Sequence, residues 1–341
     1  MRKPPLNAGH PFRAGKSCVV TNHAILAVGR CGVDVYPLQT GVTLEEVSTF
    51  GKFLGGSPMN VTVAAARYGE DCAILTGVGD DPFGRWVRLE MRRLGVSDEY
   101  VIVDPVLNTP VTFCEIIPPD HNPFFFYREP SAPDLQIRTT DIPEDNVRDA
   151  RVVWFSGTGL SEEPSYGTHL EILKLRGAAA HTVFDLDWRP VFWKDTEQAR
   201  QRYQRCLEQS TVAVGNLEEC ELAVGENDPE RAAQALLDRG ITTAVVKQGD
   251  RGTLARTADE TVFVPAVHCR TLNGAGAGDA FGGALCHALI RGWDLERTIR
   301  FANAAGAIVA SRLECSTAMP TEAEVERVLG AGTTDVLEAV A

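Results

Sequence analysis

Several features are missing from this chain, and each absence closes off a class of protein. It has no C-x-x-C pair, and none of its nine cysteines pairs with histidine at the spacing of a zinc site. Their odd number and scatter argue against a disulfide framework and for reduced thiols in a cytoplasmic protein. No apolar stretch has the length and purity of a membrane span. The basic opening "MRKPPLNAGHPFRAGKS" is not followed at once by the apolar run of a signal peptide, and "CVVTNHAILAVG" is broken by Thr21, Asn22 and His23. A dense Lys/Arg block is also missing. The 46 acidic residues outnumber the 33 basic ones, for a net charge of −13, which speaks against nucleic acid and a membrane surface. Small anionic ligands stay open, because a few local donors can outweigh the global field. There is no internal repeat and no low-complexity segment.

What is present is an ordinary globular composition, 44% hydrophobic and 23% charged, enough for one large domain with a smaller attachment. Apolar strand-like runs alternate with amphipathic helical ones. "AILAVGR", "CAILTGVGDD", "RVVWFSG", "HTVFDLD", "STVAVGN" and "TTAVVKQG" read as strands, and "ETVFVPAV" as a strand pair. "SPMNVTVAAARYG" reads as a helix with Ser57 as its cap, Pro58 in its first turn and Gly69 at its end. Further helices are expected over "FGRWVRLEMRRLG", "SYGTHLEILKLRG", "EECELAVG", "PERAAQALLDRG", "GDAFGGALCHALIRG" and "LERTIRFANAAGAIVASRL". The rhythm predicts an α/β fold with a central, mostly parallel sheet covered by helices on both faces. "PVTFCEII" and "FFFYRE", separated by "PPDHNP", read as a hairpin. With "GVDVYP" and "TFGKFL" they predict a small β lid from about 35–54 and 107–130, on a domain of 23–330 between tails at 1–22 and 331–341.

In such folds ligands collect at the C-terminal ends of strands, where helices begin. Asp34, Gly55–Asn60, Asn216, Lys247–Gly249 and Gly276–Asp279 all fall at such junctions. The stretch "NGAGAGDAFGGAL" places Gly274, Gly276 and Gly278 before Asp279 and an apolar helix. Bare backbone at a helix start offers N–H groups and the positive end of the helix dipole to an anion. The dinucleotide fingerprint G-x-G-x-x-G fails, because its third glycine falls on Asp279, and no G-K-[ST] follows for a P-loop. An anion cradle with a carboxylate at its centre suits removal of a proton from an alcohol attacking a phosphoryl group. The bland alternative is that the glycines permit tight helix packing and Asp279 caps the helix.

"NGAGAGDAF" resembles the G-A-G-D signature of the ribokinase, or PfkB, family of sugar kinases, and "GGSPMN" resembles its upstream G-G-x-x-x-N signature. Both occur in the family's order, some 220 residues apart. "NLEE", "VVKQGDRG" and "FANAAGAIVASR" extend the resemblance over about residues 24–324, with a ribokinase-like fold implied. Within the family, "AVGRCGVDVYP", "TFGKFLGGSPMN", "FFFYRE", "FDLDWRPVFWK" and "STAMPT" are similar to the 5-dehydro-2-deoxygluconokinases of inositol catabolism. Other members that phosphorylate 2-dehydro-3-deoxygluconate, fructose, ribose or nucleosides are the neighbouring alternatives. A sugar or nucleotide sensor on the same fold is a more distant one.

The resemblance implies ATP and Mg²⁺ as partners of a small sugar or sugar acid. It makes Asp279 the general base and gives the amides of Gly276, Ala277 and Gly278 the developing phosphoryl charge. Asp34, Gly55, Gly56 and Asn60 would face the sugar. Asn216 and Glu219 would organise magnesium, although Glu219 also suits a plain first-turn acid. Lys247 and Gly249 would lie along the nucleotide, with Asn216 close by and Asn303 near base or ribose. A substrate carboxylate calls for a guanidinium. Arg128, following the aromatic run on the lid, is the preferred candidate, with Arg30 in reserve; Arg189 could meet the γ-phosphate. Where the wider family usually reads D-T-x-G-A-G-D, this chain has Asn273 and Gly274 in place of Asp-Thr. That region helps to hold a monovalent cation in related kinases, so a cation requirement is left open. The aromatic seam of the lid implies a homodimer contact or closure over substrate.

Overall fold

Strand β1 (Ile25–Val28) shows how the molecule is layered. Its Ile25 and Ala27 enter one hydrophobic cluster and its Leu26 and Val28 another, so both faces of the strand are covered. The computed structural model describes residues 22–117, 122–177 and 181–338. The expected N-terminal tail therefore lies outside the described residues, apart from Asn22.

In chain order, β1 leads into β2 (Gly32–Pro37), β3 (Phe50–Gly55), α1 (Ser57–Arg67), β4 (Cys72–Gly79) and α2 (Pro82–Arg93). Two short strands, β5 (Val96–Ser97) and β6 (Val101–Asp104), precede β7 (Val111–Cys114) and β8 (Phe124–Tyr127). Next come α3 (Glu144–Asp149), β9 (Val152–Ser156), α4 (Ser165–Arg176), β10 (Thr182–Asp185), α5 (Thr196–Leu207) and β11 (Val212–Asn216). They are followed by α6 (Leu217–Val224), α7 (Pro229–Leu237), β12 (Thr243–Lys247), β13 (Thr253–Arg256) and β14 (Thr261–Val264). Helices α8 (Ala277–Arg291), α9 (Leu295–Ala310), α10 (Glu322–Ala331) and α11 (Asp335–Glu338) complete the described chain.

The large sheet runs β14-β13-β12-β11-β10-β9-β1-β4-β5, with β6 also paired to β4. Its strands are parallel from β12 through β4, and β13 and β14 are antiparallel at one edge. Helices α1, α8 and α9 cover one face, around Trp154 and Phe301; α3 to α7 cover the other, around Phe155 and Phe184. The second sheet has the order β3-β2-β7-β8 and forms the expected lid. The predicted α/β class, parallel sheet and β lid are all present.

Some local expectations are corrected. Asp34 does not sit at a junction just past the end of the first strand but within the next one, lid strand β2. "ETVFVPAV" forms only one strand, β14, whose antiparallel partner is the unforeseen "TLAR" of β13. Ser57 is the first residue of α1, and the cap position belongs to Gly56, which has no side chain to cap with. Helices α3, α5 and α10 were not anticipated, and α11 occupies the stretch expected as a C-terminal tail.

Candidate active site

Two helix starts meet beneath the lid. Helix α1 begins after Gly56, at φ 103°, where a Cβ would come within 2.4 Å of the Arg30 carbonyl oxygen. At Gly55 a Cβ would come within 2.1 Å of the Asp34 carboxylate. The glycine pair thus lets the start of α1 press against the end of β1 and against Asp34. Helix α8 begins after Gly276, at φ 78°. Further along α8, a Cβ on Gly283 would approach that of Ala64 to 2.3 Å, and one on Gly282 would reach Trp154 at 2.7 Å. These bare positions allow α8 to lie against α1, and the contact brings Asn60 Nδ2 to donate to Asp279 Oδ2 at 2.8 Å. Asn60 is fixed from its other side, because Ser316 Oγ donates to Asn60 Oδ1 at 2.9 Å.

Asp279 is half-buried, and loss of hydration raises its pKa against the lowering effect of hydrogen bonds from Asn60 and Ser57. It opens onto a cavity of about 320 Å³ that Arg30, Asp34, Glu219 and Lys247 also line. Asp34 is pushed up to about 6 by burial, although the Tyr36 hydroxyl donates to it at 2.8 Å and Arg30 stands near. Tyr36 is itself 2.8 Å from the Cys315 sulfur, which tethers this lid strand to the loop beside Gly276.

A second group of charges gathers at the ends of β10, β11 and β12. Asp185 and Glu219 are driven up by burial, with Lys247 pulling both down. Burial alone would lower Lys247, but Asp185, Glu219, Asp279 and Asp187 outweigh it and leave the ammonium more firmly protonated than usual. Asp187 stays below the ordinary carboxylate range: burial raises it, but Arg189, Arg30 and Lys247 prevail. Asn216 caps α6 by accepting from Glu219 N at 2.9 Å, and Glu219 Oε2 accepts from Asn216 N at 2.6 Å. The plain capping reading of Glu219 is therefore realised, yet the same carboxylate also lines the cavity.

The family model for pfkB family carbohydrate kinases matches residues 22–322. The chain belongs to the PfkB family of carbohydrate kinases. Two curated relatives bear the name 5-dehydro-2-deoxygluconokinase. The one from Geobacillus thermodenitrificans is 33% identical over 89% of this chain and 92% of its own length. The one from Bacillus subtilis is 30% identical over 90% of this chain and 96% of its own. An E. coli protein assigned as a ribokinase II, solved in complex with ATP and Mg²⁺, superposes with a TM-score of 0.83 at 22% identity. The match covers 91% of this chain and 99% of that one.

In this PfkB kinase the cavity gathers Arg30, Asp34, Gly56, Asn60, Arg189, Glu219, Lys247, Gly276, Gly278 and Asp279 from the residues singled out in the sequence. Gly55, Ala277, Asn216 and Gly249 are neighbours of that lining rather than part of it. Two placements depart from expectation. Arg128 does not reach into the cavity: its Nη2 donates to both carboxylate oxygens of Asp134 at 3.0 Å. Asn303 has its carboxamide committed to the fold. It accepts from Thr253 Oγ1 at 2.7 Å and donates to the carbonyls of Val264 and Pro265, bracing α9 against β13 and β14. The left-handed glycine of the anion loop is Gly276; Gly278 lies inside α8. The Asn273 carboxamide holds the loop together, accepting from Ala275 N at 3.0 Å and donating to the Leu313 carbonyl at 2.7 Å. Sequence reasoning missed Asp185, Asp187 and Ser57. The available signal was two aspartates at the end of a buried strand in "VFDLDW".

Proposed function

We propose that this PfkB kinase transfers the γ-phosphoryl group of ATP to the primary hydroxyl of a sugar acid, with 5-dehydro-2-deoxy-D-gluconate as substrate and its 6-phosphate as product. The observation that carries the transfer is the half-buried Asp279 carboxylate, raised toward a useful basicity and fixed by Asn60 at the N-terminus of α8. Asp279 takes the proton of the attacking hydroxyl. The first-turn amides of α8, around Gly276, Ala277 and Gly278, have no partners within the helix and face the charge that develops on the phosphoryl group. The Ala277 amide already makes a long bond of 3.4 Å to the Gly274 carbonyl, so Gly278 carries more of this duty. Asp34 and Asn60 accept and donate to sugar hydroxyls. Lys247, charged and 3.4 Å from where a Gly278 Cβ would stand, meets the phosphates.

The residues present fit a magnesium ion. Asp185 and Glu219 are desolvated carboxylates sharing Lys247, so a second cation beside them relieves an unfavourable charge balance. Among the described residues no group of three or more His, Cys, Asp or Glu could hold a metal, which suits an ion bound through phosphates and water rather than a protein cage. When bound, Mg²⁺ neutralises phosphate oxygens. We assign Asn216 to support of Glu219, Gly249 to the nucleotide side, and Asn303 to shaping the nucleotide wall rather than reading the base.

The choice of a sugar acid rests on the names of the relatives and on arginines converging beside the sugar end of the cavity. ATP consumption measured over a panel of neutral sugars, nucleosides and sugar acids tests it. The highest kcat/KM is expected with 5-dehydro-2-deoxy-D-gluconate. A neutral hexose or a nucleoside preferred over every acid would overturn the substrate and leave the kinase standing. Sodium against potassium buffers settle the cation question. Asn273 offers no carboxylate there, and no activation by potassium is expected. We further propose a cytoplasmic homodimer joined through the lid. The eight cysteines among the described residues are all free, and no described helix is long and apolar enough to cross a membrane.

A further inference from the structure

Three arginines stand close enough to influence one another beside the cavity, and two of them are already engaged. Arg128 is locked onto Asp134, their side chains 10% and 2% exposed. Arg189 pairs through Nε with Asp187 Oδ1 at 3.1 Å. Arg30 is different. It is 8% exposed and lines the cavity, and its buried Nε has no hydrogen-bond partner. Among the described residues its side chain makes no ion pair. Its guanidinium lies instead beside two aromatic rings that pack edge-to-face, Phe126 with a centroid at 5.4 Å and Phe192 at 5.6 Å. Asp187 and Asp34 supply favourable field at a distance, but no hydrogen bond.

A guanidinium withdrawn from water with unmet donors is costly, and a site that tolerates it has an anion to receive. The position selects which anion. Arg30 follows β1, beneath the lid, whereas Lys247 ends β12, three strands beyond β9 in the sheet. The phosphate-facing groups thus lie toward one end of the cavity and Arg30 toward the other, beside Asp34. A linear sugar acid carries its carboxylate at the end opposite the primary hydroxyl, so a hydroxyl presented to Asp279 sends the carboxylate away from the phosphates. The aromatic pair packs against Arg30 on one side, and the residue itself lines the cavity, where a carboxylate can meet it.

We infer that Arg30, seated against the edge-to-face pair of Phe126 and Phe192, is the receptor for the substrate carboxylate and the residue that selects acids over neutral sugars. This rests on the reading of the protein as a sugar-acid kinase. Because Phe126 belongs to lid strand β8, acid binding and closure of the lid are linked through this one guanidinium.

The test compares kcat/KM for 5-dehydro-2-deoxy-D-gluconate with that for its neutral C1-alcohol analogue, in the parent and in Arg30→Met, Arg30→Lys and Arg128→Met. Stranding a buried carboxylate predicts a loss of about 30- to 5,000-fold on the acid for Arg30→Met, carried mainly by KM. The loss on the alcohol should be far smaller, so the acid-to-alcohol ratio falls toward one, while KM for ATP moves only a few-fold. Arg30→Lys keeps charge without the fork and should restore part of the ratio. Arg128→Met should leave the ratio near the parent's. If Arg30→Met melts well below the parent, Arg30→Lys alone carries the test through its reduced ratio. Equal losses on acid and alcohol, or an unchanged ratio in both Arg30 variants, would overturn the assignment. A parent enzyme that prefers the alcohol would instead overturn the sugar-acid reading on which it rests.

Discussion

Asp279, half-buried, and Asp34, buried, border one cavity, and the roles proposed for them differ with their partners. Asp279 accepts from the Asn60 carboxamide at Oδ2, with Ser57 as a further donor, and we propose that it takes the hydroxyl proton. Asp279→Asn keeps the shape and removes the base, so kcat should fall about 10²- to 10⁴-fold with ATP binding retained. Turnover within a few-fold of the parent would return the residue to a capping role. Asp34 is bonded to Tyr36 and is raised to about 6, above the ordinary 3.8. As a hydroxyl acceptor it must be ionised, so KM for the sugar should climb as pH drops below about 6. The sign for folding is opposite. The native state holds this proton more tightly than the unfolded chain, so its stabilising effect is full below the ordinary value and is lost as pH rises through about 6. Thermal melting of the parent against Asp34→Asn across that range should show the parent losing ground as pH rises, while sugar KM improves. A flat difference in melting would mean that Asp34 is not perturbed.

At the scale of elements, the α1–α8 contact builds the site. Gly282 and Gly283 contribute no chemistry, yet they set how near Asn60 comes to Asp279. Gly283→Val places a branched side chain where Ala64 and the α1 backbone already stand, with the first added atom only 2.3 Å from the Ala64 Cβ. Overpacking of this kind costs about 1–3 kcal/mol. We expect a lowered melting temperature together with a drop in kcat, because the helices must separate. Lowered stability with unchanged kcat would show that the Asn60–Asp279 bond does not depend on the contact. This also explains what could be read from sequence alone. The βα rhythm and the glycine-rich helix starts were legible because periodicity and bare backbone are local signals. Asp185 and Asp187 were not, because a strand-end aspartate looks the same whether or not the sheet order sets it beside Glu219 and Lys247. Asn303 and Arg128 misled for the converse reason. Each is a polar side chain at a plausible place, and only the fold reveals that Thr253 and Asp134 already satisfy them. Strand β13 escaped because four residues after a tight turn carry too little pattern to stand out.

For the whole molecule the open question is what covers the lid. A four-stranded sheet has two faces, and alternation along β8 turns Phe124 and Phe126 toward the cavity and Phe125 and Tyr127 away from it. The outward face also carries Phe50 and Phe113, whose rings lie 5.8 Å apart, with Tyr127 5.4 Å from Phe113. Phe50, Phe125 and Tyr127 are 40%, 42% and 67% exposed. Apolar surface of this kind on a sheet too small to hold its own shape suits a cover, and the dimer proposed above would supply a matching one. Each copy carries a net charge of −13, so in the proposed lid dimer the approach of two chains is opposed at long range and the contact falls to the uncharged aromatic patch. Two consequences follow. Sedimentation should show a dimer that tightens as salt rises, because screening removes the repulsion and leaves the apolar contact. Tyr127→Glu with Phe125→Asp should yield monomers. In those monomers the inner residues of the same strand lose their backing, so Phe126 is held less firmly over Arg30 and KM for the sugar should rise while KM for ATP is little changed. A parent protein that sediments as a monomer at micromolar concentration would refute the lid dimer. A dimer that survives the double substitution would place its contact elsewhere.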